Sequence, residues 1–222
     1  MKSIQKITGQ GTLIPASRFN TELRFLNSRF IATIAPVFSV SEAKAFIREI
    51  SHLYVDATHN VPIYQIGSGS SVIAHSSDNG EPSGTAGRPA LAVLAGSGLG
   101  DAAIVITRYF GGTKLGTGGL VKAYSESARS VIQVVPKAKK IIVHYCQIIG
   151  PYNLYEQIIR ILKKAGGNII QEDFAELVII NFSIPSSAYD MLTGQITNFT
   201  KGKIPVQIIA KDQTAIIPIT KD

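Results

Sequence analysis

The sequence predicts an α+β protein of two domains. Three patterns carry that expectation. Up to Pro136, strand-like and helix-like segments interleave around a β-branched run that is apolar on both faces, AAIVITRYF at residues 102–110. From residue 140 the order becomes strand, helix, strand, strand, helix, strand, the signature of a ferredoxin-like βαββαβ sandwich. Between them Pro136-Lys137-Ala138-Lys139 reads as a polar break. The expected domains are residues 1–136 and residues 140–222.

In the first domain, ELRFLN and RFIATIAPV read as two paired strands turning at Asn27-Ser28. Ser39 and Glu42 have the spacing of a capping box, with Ser39 as N-cap. The helix they open carries Phe46, Ile47, Ile50 and Leu53 on one face. VPIYQIG and SVIAHSSD follow as strands, and GRPALAVLAG as a short helix that tolerates Pro89 in its first turn. AAIVITRYF is the buried central strand. Thr117 is the candidate N-cap of the next helix, whose apolar stripe is Leu120, Tyr124, Ala128, Val131 and Val135.

The second domain opens on the strand KKIIVHYCQI. Pro151 starts a helix that turns Leu154, Ile158, Ile161 and Leu162 inward and stops at Gly166-Gly167. NIIQED and ELVIINFSIP pair as strands. Ser186 is expected to cap a helix holding Ala188, Leu192, Ile196 and Phe199, and IPVQIIA closes the series.

A hydrophobic content of 45% and mean hydropathy of +0.19 are ample for a folded core. No apolar run approaches the roughly 18 residues of a membrane span, and MKSIQKITGQ lacks the apolar core of a leader. The single cysteine, Cys146, excludes an internal disulfide framework and fits a reducing cytoplasm. It sits in IIVHYCQII, where buried packing is the expectation. His52 and His144 read as structural. Four histidines and one cysteine show no metal-ligand spacing, so neither metal nor cofactor is expected. The net charge of +7 favours anionic partners. Lys137, Lys139 and Lys140, then Arg160, Lys163 and Lys164, then Lys201 and Lys203 form small basic clusters, which solvated faces and helix ends also explain.

Two glycine-rich stretches stand out, DNGEPSGTAGRP at residues 78–89 and RYFGGTKLGTGGL at residues 108–120. Glycine inside a helix or strand costs roughly 0.5–1 kcal/mol relative to alanine, so both are loops. Gly111 and Gly116 have the spacing of a phosphate-binding Walker loop, but Thr117 stands where lysine is needed. Gly96-Ser97-Gly98-Leu99-Gly100 brushes the dinucleotide fingerprint, yet it follows a helix. What survives is a glycine-rich turn feeding a helix amino terminus, a ready anion site. Gly116, Thr117, Gly118 and Gly119 would supply bare amides, and Arg88, Arg108, Lys114 and Lys122 the cations. The alternative is that the glycines serve only tight turns. Asp78 and Glu81 read as a carboxylate pair, or as a turn former and an ion-pair partner for Arg88 or Arg108. His59 reads as a base or as a backbone cap. No nucleophile, base and orienter set is legible, so no catalytic residue is assigned. The two loops are expected to meet in one concave site.

DNGEPSGTAGRP together with RYFGGTKLGTGGLVKAY closely resembles the signature of the IMPACT/YigZ family, and SRFIATIAPV and DATHN match its pattern as well. The resemblance covers nearly the whole chain. Its motif residues here are His59, Asp78, Gly80, Glu81, Pro82, Gly84, Thr85, Gly87, Tyr109, Phe110, Gly111 and Gly112. Asn79 stands where members often carry a second aspartate, and Asn-Val-Pro follows His59 where a cysteine is common. The resemblance implies a first domain like the second domain of ribosomal protein S5. It implies a second domain similar to the last domain of translocating elongation factors. RNA or a ribosome-associated factor is the implied partner. Eukaryotic members regulate translation by binding a protein that activates a stress kinase, so a protein partner in translation control is a further expectation. The family offers no established catalytic residues. The expectation is therefore a cytoplasmic protein that binds RNA or translation machinery through the glycine loops and flanking cations, with exposed aromatics such as Tyr109 and Phe110. A small-molecule enzyme or phosphate-ligand binder using the same loops is the alternative, and a purely protein-binding regulator the third.

Overall fold

A computed structural model describes residues 11–67 and 71–219. The amino-terminal stretch read above for a leader lies outside them. Strand β1 (Thr12–Pro15) precedes a hairpin of β2 (Phe19–Phe25) and β3 (Ser28–Pro36), then helix α1 (Val40–Leu53). Strands β4 (His59–Ile66) and β5 (Ile73–Ser76), helix α2 (Gly87–Gly96), strand β6 (Ala102–Tyr109) and helix α3 (Gly116–Val134) complete this part. The strands form a sheet in the order β2-β3-β6-β4-β5. β6 is its middle strand, antiparallel to both β3 and β4. That explains its sequence: seven of its eight residues are buried, because helices cover both faces.

One face carries α2 and α3. Phe30, Ala32 and Ile34 of β3 and Ile104 and Ile106 of β6 pack there against Leu94, Leu120, Tyr124, Ala128 and Val131. The other face carries α1, with Ala43, Phe46 and Ile50 against Tyr64, Ala103 and Val105. The α1 capping box is present, with the Glu42 N–H donating to Ser39 Oγ at 3.1 Å. The Glu42 carboxylate reaches back one residue further than the motif suggests, to the Phe38 N–H at 2.9 Å. Two local expectations shift. The β2–β3 turn is Leu26-Asn27, with Leu26 at φ 51°. Leu53, expected inward, is 65% exposed because it closes the last turn of α1 past the sheet.

Strand β7 (Lys137–Gly150) is followed by α4 (Tyr152–Lys164), β8 (Asn168–Phe174), β9 (Val178–Pro185), α5 (Tyr189–Thr200) and β10 (Gln207–Pro218). β10 pairs with β7, β7 with β9 and β9 with β8, the strand order of a ferredoxin-like sheet. Ile148, Ile180 and Phe182 from the sheet pack with Ile158 and Leu162 of α4 and Leu192 and Ile196 of α5. Cys146 joins this core, and burial pushes its thiol up to about 11. A thiol kept neutral in this way is a small packing residue. Within Pro136-Lys137-Ala138-Lys139, expected as a polar break, β7 already begins at Lys137 and Ala138 is fully buried, while the two compact units divide between Lys139 and Lys140. Ser186 lies in a short 3-10 turn before α5 and does not cap it. Ala188 holds the N-cap position with no side-chain bond. Phe199 is 37% exposed, and Thr200 takes the inward place expected of it.

The chain divides into two compact units, residues 12–139 with 218–219, and residues 140–217 with Gly11. Among the described residues no helix is long and apolar enough to cross a membrane. The carboxy-terminal unit holds its own strand order and its own core, so it is expected to fold alone. A fragment from Pro136 onward should melt in one cooperative transition and give mixed helix and strand circular dichroism. A fragment without either signature would contradict an autonomous domain.

Candidate functional site: two glycine loops joined by a buried ion pair

The first loop is organised by one carboxylate. Asp78 Oδ2 accepts from the Gly84 N–H at 2.8 Å, and Oδ1 accepts from Ala86 and Gly87 at 3.1 and 2.8 Å. The Ala86 and Gly87 amides are orphan donors at the start of α2, so the chain fills that helix terminus with its own anion. Gly87 has to be glycine, because a Cβ would lie 2.7 Å from the Ser77 carbonyl oxygen. Burial pushes the Asp78 carboxyl up, but the Gly84, Gly87 and Ala86 amides and the Arg88 charge outweigh it and hold the group below its ordinary value. Asp78 is therefore a structural anchor and not half of a catalytic carboxylate pair.

Glu81, three residues on, is buried, with its side chain 2% exposed. Arg108 Nη1, at the end of β6, donates to Glu81 Oε1 at 2.6 Å, and the Tyr124 hydroxyl of α3 donates to the same oxygen at 2.7 Å. His59 Nε2 lies 3.8 Å from it. Burial and the Glu81 charge raise the Tyr124 phenol far above its ordinary value. The hydroxyl stays protonated and donating. Arg108 also donates to Ser28 Oγ at 3.4 Å, and its guanidinium carbon lies 5.5 Å from the ring centroids of both Phe30 and Phe110. Its buried Nε finds no hydrogen-bond partner among the described residues.

The strand of DATHN threads beneath the first loop. His59 is the first residue of β4, and its Nδ1 lies 2.8 Å from the Asn79 carbonyl oxygen. A carbonyl only accepts, so Nδ1 carries the proton. Asn79, at φ 47°, also accepts from the Asn60 N–H through Oδ1 at 3.0 Å. His59 thus caps and braces the loop.

The second loop leaves β6 at Phe110, whose N–H donates to Thr58 Oγ1 at 3.0 Å. Gly111 passes so close to the β2–β3 turn that a Cβ would sit 1.9 Å from the Asn27 carbonyl oxygen. Its N–H donates to Ser28 Oγ at 3.3 Å, and Asn27 Nδ2 donates to Thr113 Oγ1 at 3.3 Å. Then the packing ends. Gly112, Gly116 and Gly118 have open space where a Cβ would be, and Gly116, Thr117 and Gly118 are exposed. Thr117 does not cap α3: Leu115 occupies the N-cap with no side-chain bond, and Thr117 falls inside the first turn.

The structure thus sorts the expected site residues into two groups. His59, Asp78, Glu81, Gly87, Arg108 and Gly111 serve the internal joint. Arg108, expected among the cations facing a ligand, is 5% exposed and committed to Glu81, the pairing named beside that expectation. Arg88, Lys114 and Lys122 are exposed, as is Pro82, with Gly116, Thr117 and Gly118 between the two lysines and Gly119 half-buried after them. Lys114 and Lys122 form no ion pair among the described residues. Tyr109 is taken up by Asp56, to which its hydroxyl donates at 2.8 Å, and by Arg29, stacked 4.5 Å from its ring centroid. Phe110 stays 45% exposed. Sequence reasoning missed Tyr124, read only as part of an apolar stripe. A hydroxyl in the middle of such a stripe was the available signal, since a buried tyrosine hydroxyl needs a partner. Among the described residues no group of three His, Cys, Asp or Glu side chains could hold a metal ion.

Fold and loops together define a two-domain α+β protein whose paired glycine motifs lock one domain and leave one helix terminus open. Residues 26–132 match the Impact N-terminal domain, and residues 148–203 match a domain of unknown function, DUF1949. The chain is 32% identical to IMPACT family member YigZ of Escherichia coli, over 89% of this chain and 97% of that protein. It is 32% identical to IMPACT family member YvyE of Bacillus subtilis, over 84% and 85%. The chain belongs to the IMPACT family. A crystal structure of a hypothetical protein, 31% identical, superposes with a TM-score of 0.61 over 92% of this chain and all of that one. A likeness of TM-score 0.34 and 19% identity to the two-domain translational regulator Yih1, over 60% of this chain and 51% of that one, is too loose to bear on fold or function.

Replacing Asp78 tests the first loop. Asp78→Asn should cost about 1–2 kcal/mol at neutral pH, as loss of a helix cap does. Because the folded carboxyl titrates below its unfolded value, its contribution is complete above about pH 4 and fades as pH falls further. In thermal melts of both proteins from pH 7 to pH 3, the gap should hold at the upper end and narrow toward the acid end. A gap that stays constant with pH would show that the charge contributes nothing.

Proposed function

We propose that this chain is a non-catalytic binding protein of the translation apparatus, holding RNA through a phosphate seated at the amino end of α3. The observation that carries the reading is a contrast between the two glycine-rich helix starts. α2 is capped by the chain's own Asp78, whereas α3 has no side-chain cap and exposes Gly116, Thr117 and Gly118 between Lys114 and Lys122. The first amides of α3, the positive end of a helix dipole and two ammonium groups without an ion pair among the described residues suit a phosphate oxygen. The excess of positive charge, +7 over the chain, favours the same class of partner. The translation setting rests on the resemblance to the eukaryotic branch of the family, and a cytoplasmic one accords with the lone buried Cys146.

Catalysis is the weaker reading, for a reason specific to the residues. A phosphoryl-transfer enzyme needs an acidic group facing the glycine-rich helix start, and the two candidates were Asp78 and Glu81. Asp78 caps α2, and Glu81 is held by Arg108 and Tyr124. His59 braces the Asn79 carbonyl through Nδ1, and its Nε2 lies 3.8 Å from the paired Glu81.

Phosphate neutralisation sets a measurable salt dependence. The log–log slope of affinity against salt should be about −0.7 per phosphate contact on a single strand. Lys114→Ala and Lys122→Ala should each flatten it by roughly one contact without changing sequence preference. Equilibrium binding of a generic RNA across a salt series reads this directly. If the wild-type protein binds no RNA even at low salt, the reading fails and a small phosphate ligand takes its place.

A further inference from the structure

We infer that the RNA taken by this site is single-stranded, with an unpaired base stacked on Phe110. This rests on the phosphate reading above and adds the nucleic-acid form and a contact residue. Phe110 is the aromatic side chain of the second glycine loop that the fold leaves in solvent, at 45% exposure. Its neighbour Tyr109 is not equivalent, because the hydroxyl is bound to Asp56 and the ring is covered by Arg29.

Three features make Phe110 a platform rather than a stray exposed ring. Its backbone is fixed, since the N–H is bound to Thr58 Oγ1 and the next residue, Gly111, is pressed against the Asn27 carbonyl. The Arg108 guanidinium lies 5.5 Å from the ring centroid and is itself immobilised by Glu81. A cation at that distance supports the ring electrostatically and does not leave with the ligand. Third, Phe110 begins the loop that runs through Lys114 to Gly116, so an aromatic surface and the phosphate seat lie on one short tether.

An aromatic face beside a cationic groove is how proteins hold single strands, because every base has a π-face and no sequence is required. A duplex keeps its bases stacked on one another and offers no such face. The geometry therefore separates two forms of the same polymer.

The test uses the full chain, a labelled 12-nucleotide single-stranded RNA and the corresponding duplex. Base stacking on an aromatic is worth roughly 1–3 kcal/mol, so Phe110→Ala should weaken single-strand binding by about 5- to 150-fold. Its salt slope should be unchanged, because no phosphate contact is lost. Phe110→Leu, which keeps the apolar surface without a ring, should lose as much, and Phe110→Trp should bind at least as tightly as the wild type. Duplex affinity should stay within about 2-fold in all three. If Phe110→Ala or Phe110→Leu binds the single strand like the wild type while Lys114→Ala weakens it, the stacking inference is wrong and the phosphate reading stands. Equal losses for single strand and duplex would also overturn it. If the wild type binds neither RNA, both fall together.

Discussion

The buried pair of Arg108 and Glu81 is the constraint on which the amino-terminal unit depends. Both side chains are almost fully withdrawn from water, and taking two charges out of water costs several kcal/mol per ion. That cost is offset only by close geometry and further hydrogen bonds. Tyr124 supplies one to Glu81 and Ser28 a longer one to Arg108. The pair spans elements far apart in sequence: the loop after β5, the end of β6, the start of β3 and the third turn of α3. Any movement of one glycine loop away from the other would strand a charge in the core. The loops therefore act as one body.

This joint explains why the glycines fall into two kinds. Gly87 and Gly111 sit where the backbone must pass within contact distance of another carbonyl, so any side chain collides. Gly87 seats the first loop against Ser77, and Gly111 seats the second against the β2–β3 turn. Gly116 and Gly118 face open space and serve no packing, although Gly116, at φ 72°, also takes a left-handed backbone that favours glycine. What they provide is bare amide surface at the head of α3, and the rigid joint behind them holds it in place. The same division separates the cations. Arg108 is consumed by the core, and Lys114, Lys122 and Arg88 are left outside. The proposed phosphate contact would thus draw on residues adjacent to those of the joint without competing for them.

Much of this was legible in the sequence, and the parts that were not have identifiable causes. The central place of β6 followed from an apolar run with no polar alternation, which only a strand covered on both faces tolerates. The βαββαβ order fixed the second unit because helix and strand periods are easily told apart there. Local signals misled where tertiary packing overrides them. Pro136-Lys137-Ala138-Lys139 read as a polar break by composition, but β7 begins at Lys137, Ala138 is buried and the lysines at 137, 139 and 140 are half-buried along the strand. Thr117 looked like an N-cap by type, but the open glycine turn lets α3 begin at Gly116. Of the site, the motif residues were found, but their roles were not separable. Whether Arg108 points outward to a ligand or inward to Glu81 depends on a contact between residues 27 positions apart, which spacing along the chain does not encode.

The most direct test of this account is a double-mutant cycle on the joint, with Glu81→Gln, Arg108→Met and the double variant compared by urea denaturation. Each single change leaves a charge buried without its partner and should cost about 3–5 kcal/mol. The double variant leaves none, so it should cost no more than the worse single, giving a coupling above about 2 kcal/mol between the two residues. Single costs that simply add, within about 0.5 kcal/mol, would show that the two loops are not held by this pair and would contradict the account.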